Sequence, residues 1–243
     1  MNKETRSFIC EVRAEQDEQH GAYITGTPIV FDQRTDMGWY EEIISRMALD
    51  GCDLKDVRFL VGHKTNMIPL ARSRNNNENS TMQMTVTETG MDIRVNLDIE
   101  NNMEARALYS AVKRGDISGM SFMFLADIDK DVWENKGTDY PRRTINSIIR
   151  VLEVSAVAFP AYPQTSIQAA SEGETLDSAH ASLESAMKRE EEERAAKAEQ
   201  ERRRAALERL ENLKKEVKHD ERFYRNERGA AGSQADRTGR HGH

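Results

Sequence analysis

The chain changes character after Pro163, and that break limits its possible folds more than any motif does. Through residue 158 apolar and β-branched residues recur in short runs, whereas from about residue 170 they thin out into Glu, Arg, Lys and Ala. The whole-chain apolar content of 37% therefore averages two unlike parts. With 243 residues, the chain has room for one domain of about 150 residues with a real core, plus an appendage. The expected division is an N-terminal segment over 1–19, a domain over 20–167, a linker over 168–180, a charged helical tail over 181–228 and a disordered terminus over 229–243.

Within the domain, strands are expected at 22–31, 57–61, 68–72, 80–87, 91–97, 120–128 and 145–158. Gly26 and Pro28 predict a bulge or an edge in the first of these. The alternating runs TMQMTVT and MDIRVNL flank Glu88, Thr89 and Gly90, which reads as a hairpin. A helix is expected from Asn101 or Asn102 to Gly115, with Ala105, Leu108, Tyr109 and Val112 on one face and Lys113 and Arg114 at its negative end. A second, shorter helix is expected over 40–47, with Ile43, Ile44 and Met47 inward. The fold class is thus α+β, mainly antiparallel and barrel-like, with flanking helices and a long C-terminal helix.

The tail has strong helix propensity, and Glu184/Lys188, Glu190/Arg194, Glu193/Lys197, Glu199/Arg203 and Glu211/Lys215 are acid-first pairs four apart. Each adds about 0.2 to 0.5 kcal/mol to a helix. Heptad-like spacing of apolar residues appears only at Ala206, Leu210, Leu213 and Val217, and Asp220 breaks it before Tyr224. A solvated single helix is favoured over a continuous coiled coil.

The net charge of −7 argues against general affinity for nucleic acid or anionic membrane, and the basic run at 202–204 is interleaved with acids. No apolar run approaches a bilayer span, and the first residues lack a signal-type apolar segment, so a cytosolic setting is expected. Cys10 and Cys52 are too few for a disulfide framework or a tetrahedral metal site, and no cofactor or metal is expected. Phosphate-loop, HExxH and CxxC motifs are absent.

Of six histidines, only His63 follows an apolar run, FLVG, inside the domain. Ser118 and Ser121 lie in GDISGMSFMF, between a helix-ending glycine and an apolar strand, and Ser155 lies in LEVSAV. Locally, each serine reads equally as a turn or strand residue. A serine hydroxyl needs a base, and imidazole titrates near neutrality, so a Ser and a His brought together by folding would suffice for acyl transfer beside an oxyanion site. Glu153, an acid on an apolar strand, either orients such a histidine or simply faces outward.

Six segments in order resemble the prohead proteases of tailed phages, a family related in fold to the herpesvirus assemblins. They are GTPIVFD from Gly26, EEII from Glu41, FLVGHKTNMIPLAR from Phe59, GMDIRVNL from Gly90, ALYSAVKRGDISGMSFMF from Ala107 and LEVSAVAFPAYPQT from Leu152. The resemblance implies a serine protease with His63 as base and Ser121 as nucleophile, and it matches Glu153 to the acid of an EVS segment. It departs from the common pattern at Lys64, Ala71 and Met123. It also implies action in the host cytoplasm within the procapsid, on scaffold segments and the major capsid protein, followed by self-digestion. Self-association is expected as well, and Gly173, in the small polar hinge, is a point a protease could reach. The alternative is a weakly active or inactive protease-like domain that organises assembly through its helical tail.

Overall fold

The computed structural model describes residues 2–19, 21–158 and 172–235. Along the chain run β1 (Asn2–Ile9), β2 (Arg13–Asp17), β3 (Gly21–Val30), β4 (Thr35–Asp36), β5 (Glu41–Ile44), β6 (Asp56–Val61) and β7 (Ala71–Arg74). Next come β8 (Met82–Val86), β9 (Gly90–Leu97), α1 (Met103–Arg114), β10 (Gly119–Ala126), β11 (Val132–Glu134), β12 (Arg142–Ile145), β13 (Ile148–Val157) and α2 (Glu172–Ala235). The chain separates into two compact units, Met1–Lys188 and Arg189–His243.

The strands of the first unit form three sheets, ordered β1-β10-β13-β6-β7, β11-β12-β5-β4 and β2-β3-β9-β8. Among the described residues none of these closes into a barrel, which corrects the barrel-like expectation. Two pairings, β13 with β6 and β12 with β5, are parallel. The core lies between sheet faces, where Ile24, Phe59, Met120, Phe122, Phe124 and Val154 are wholly buried.

Local chemistry explains the elements that were legible. β8 and β9 pair as the expected hairpin. Gly90 is required there, because a Cβ would lie 2.1 Å from the Ile29 carbonyl oxygen. The register of β3 against β9 shifts between Gly26 and Ile29, so the chain bulges where Pro28 removes a donor. α1 begins at Asn102, whose side chain accepts from the amides of Glu104 and Ala105, and ends at Gly115 with φ of 81°.

Other expectations are corrected. The stretch 41–44 is strand β5 and not a helix, since it pairs in parallel with β12 and buries Glu42 against two arginines. The strand expected over 145–158 is β13, which begins at Ile148, and Ile145 is instead the last residue of β12. The N-terminal segment, for which no element was expected, contributes strands β1 and β2. α2 begins at Glu172, nine residues before the expected tail, and it continues through Ala235, beyond the expected helical limit.

The first turns of α2 belong to the first unit. Ala179 and Ala186 are buried with Tyr40 and Trp133, and His180 stacks on Trp39 at 4.3 Å. Trp133 Nε1 donates to Ser182 Oγ at 2.8 Å. In the second unit, Glu190–Arg194 and Glu199–Arg203 form two of the expected ion pairs at 2.7 and 2.6 Å, and residues 201–215 are exposed. Such pairs add only tenths of a kcal/mol each in water.

Candidate active site

The central strands of the five-stranded sheet carry the residues singled out in the sequence. Ser121 on β10 is the register partner of Ser155 on β13, and Met123 is the partner of Glu153. Successive side chains of a strand alternate faces, so Ser121, Met123, Glu153 and Ser155 share one face. Phe122 and Phe124 take the opposite face of β10 and stack on each other in the core. The alternation in SFMF thus fixes a serine over one surface by anchoring phenylalanines in the other.

His63 arrives from β6, which lies beside β13. Gly62 and His63 both adopt left-handed backbone, with φ of 59° and 58°. Such backbone costs a non-glycine residue about 1 kcal/mol or more, so its surroundings must hold it. They do so through a closed set of hydrogen bonds. The His63 amide donates to Ser155 Oγ at 3.1 Å, and Ser155 Oγ donates to Glu153 Oε2 at 2.6 Å. Glu153 Oε1 lies 2.6 Å from His63 Nδ1.

An ionised carboxylate only accepts, so Nδ1 carries the proton and Nε2 presents a lone pair. The Glu153 side chain is only 3% exposed, while the imidazole is 23% exposed, so the buried end of the pair is fixed and the ring still meets solvent. This arrangement can take a proton at Nε2 and stabilise the resulting imidazolium. Glu153 therefore points to His63, and the outward-facing alternative is removed.

Ser121 is wholly buried. Its Oγ donates to the Arg6 carbonyl oxygen at 2.7 Å and accepts from Ser7 Oγ at 2.9 Å. Both partners lie on β1, and among the described residues no hydrogen bond joins Ser121 to His63. The structure thus unites His63, Glu153 and Ser155, and places Ser121 on the adjacent strand with its proton committed elsewhere. Ser118 lies exposed before β10.

Nothing in the sequence marks β1, yet it is bound by buried charge. Arg6 donates to both Glu42 oxygens and, at 2.5 Å, to Glu4. Arg143 is 0% exposed and reaches Glu4 at 2.8 Å, Glu42 at 3.3 Å and Asp131 at 2.6 Å. Ser178 and Ser182 of α2 donate to Glu4 and Asp131 at 2.6 and 2.7 Å. Burial would raise the Glu4 carboxyl, but Arg6 and Arg143 outweigh it and hold it down at about 2. For Asp131 burial wins over Arg143, and its carboxyl is pushed up to about 6. Asp131 Oδ1 is buried without a hydrogen-bond partner. Cys10 and Cys52 are free, and burial raises both thiols, which suits packing rather than nucleophilic duty.

No group of three or more His, Cys, Asp or Glu able to hold a metal occurs among the described residues. No helix among them is long and apolar enough to cross a membrane. A family model described as caudovirus prohead serine protease matches residues 9–179. No curated protein and no solved structure shows significant similarity to the chain.

Proposed function

Since the chain belongs to the caudovirus prohead serine protease family, we propose that it is an endopeptidase of capsid maturation in which Ser121, His63 and Glu153 act together. The observation that carries the reading is the 2.6 Å contact between Glu153 and His63 Nδ1, one strand away from a serine on the same face. In the reaction, Ser121 Oγ attacks a peptide carbonyl carbon as its proton passes to His63 Nε2. The tetrahedral intermediate collapses as the imidazolium returns that proton to the leaving amine. Water, deprotonated by the same nitrogen, then releases the acyl group as a carboxylic acid and restores Ser121. Glu153 holds Nδ1–H throughout and offsets the imidazolium charge. Ser155 positions the Glu153 carboxylate.

The substrates in this reading are scaffold segments, the N-terminal region of the major capsid protein and the chain itself, inside a procapsid in the host cell. Co-expression with the capsid protein tests it. Shortening that disappears with both Ser121→Ala and His63→Ala is expected, whereas shortening unaffected by either would end the assignment. The scaffolding alternative, with little or no hydrolysis, draws support from the closed state of Ser121, and unprocessed capsid protein in shells of normal size would favour it.

A further inference from the structure

The strand that covers Ser121 stands where an extended substrate would have to lie. β1 is the edge strand of its sheet and pairs with β10 over its whole length, from Asn2 opposite Ala126 to Ile9 opposite Gly119. Removing it would bare the edge of β10, a row of unpaired amides and carbonyls beside the nucleophile. Such an edge recruits an added strand through main-chain hydrogen bonds. Only the last residue of β1 falls within the stretch matched by the family model, which begins at residue 9.

We infer that the β10 edge is the seat of the substrate, bound as an antiparallel strand, and that β1 is a built-in competitor that holds the enzyme latent. This rests on the reading of Ser121 as nucleophile. The contact with β1 is unproductive in a specific way. The Ser121 hydroxyl donates to the carbonyl oxygen of Arg6, so its proton is spent on a poor base instead of being available to an imidazole. Ser7 Oγ donates to the lone-pair side of the same hydroxyl, the side that must attack. β1 is therefore held beside the nucleophile without being cut.

Side chains on the other face of β1 explain why it stays. Glu4 and Arg6 are buried and joined to Glu42 and Arg143, and Phe8 stacks on Phe122 at 6.3 Å. Ser178 ties Glu4 to the beginning of α2. A competing peptide that used the same seat would present alternate residues to these groups, with an acid for Arg143 and, two positions on, a base for Glu42 matching best.

The test weakens the latch in the full chain. In a Ser121→Cys background, the alkylation rate of the new thiol by iodoacetamide is followed by mass spectrometry, resolved from Cys10 and Cys52. Adding Arg6→Gln is expected to raise that rate at least tenfold, and an unchanged rate in a folded protein would overturn the inference. With Ser121 intact, Arg6→Gln is expected to speed capsid-protein cleavage, and the peptide NKETRSFI added in trans is expected to slow it again. Faster alkylation without any Ser121-dependent cleavage would leave the cover in place and remove the protease reading instead. Should Arg6→Gln fail to fold, the converse variant Lys3→Cys with Leu125→Cys, a facing pair on β1 and β10, locks the strand by a disulfide. Cleavage is then expected to stop on oxidation and return with reductant, and equal cleavage in both states would count against the inference.

Discussion

Glu153 and Asp131 are both buried acids, and they differ in what their neighbours ask of them. Glu153 has a donor on each oxygen, so Glu153→Gln keeps the shape while removing the charge that faces the imidazole. If the triad reading holds, kcat falls roughly 100- to 10,000-fold with KM little changed, and steady-state kinetics on a capsid-derived peptide would show it. Unchanged kcat would reduce Glu153 to a structural residue. Asp131 is the opposite case. Its carboxyl titrates at about 6 when folded against an ordinary 3.8, so its contribution to stability is fully present below 3.8 and lost as pH rises through 6. That loss is on the order of 3 kcal/mol. Glu4, held at about 2, works the other way, adding stability above 4.5 that is lost as pH falls toward 2. Thermal midpoints measured from pH 4 to 6 should therefore fall less steeply with rising pH in Asp131→Asn than in the wild type. A retained slope in Asp131→Asn would place the titrating group elsewhere. Apolar runs and glycines frame His63, Ser121 and Glu153 and made them candidates, but their roles came only from the ordered family resemblance. Arg6 and Ser7 could not be singled out, since the buried positions of β1 hold Glu4 and Arg6 and so give no apolar contrast to the intervening Thr5 and Ser7.

Elements governed by their own residues were the most legible. α1 carries its stop and start signals within its sequence, and Asn102→Ala should cost about 1 kcal/mol, measured as a shift of the urea midpoint with unchanged slope. The β8–β9 hairpin was legible for the same reason, its turn and alternation being contiguous. β5 was not, because Met47 follows Ile43 and Ile44 at helical spacing, and the stretch becomes a strand only when β12, about a hundred residues later, aligns beside it. The start of α2 was missed through a related ambiguity. Small polar residues suggest a hinge, yet Ser178, Ala179 and Ser182 are what let a helix approach Tyr40, Trp133 and Asp131 closely. Gly173, expected in an open linker, lies within α2, so cutting there requires the first helical turn to unwind.

At the scale of the molecule, the chain divides into two compact units between Lys188 and Arg189, inside α2 and well past the compositional break after Pro163. If the chain digests itself, wild-type protein should lose C-terminal mass that Ser121→Ala retains, and identical intact masses on incubation would remove self-processing from the proposed function. The pairing of β1 with β10 has a further consequence, in time rather than in space. Ser7 and Ser121 are 114 positions apart, and Arg143 is 139 beyond Glu4. Synthesised in order, β1 emerges first but finds its partners only after most of the domain exists, and closing so long a loop favours late docking. A newly made molecule would then pass through a brief interval with Ser121 uncovered. If β1 is the latch inferred above, dormancy is the last property the chain acquires as it folds.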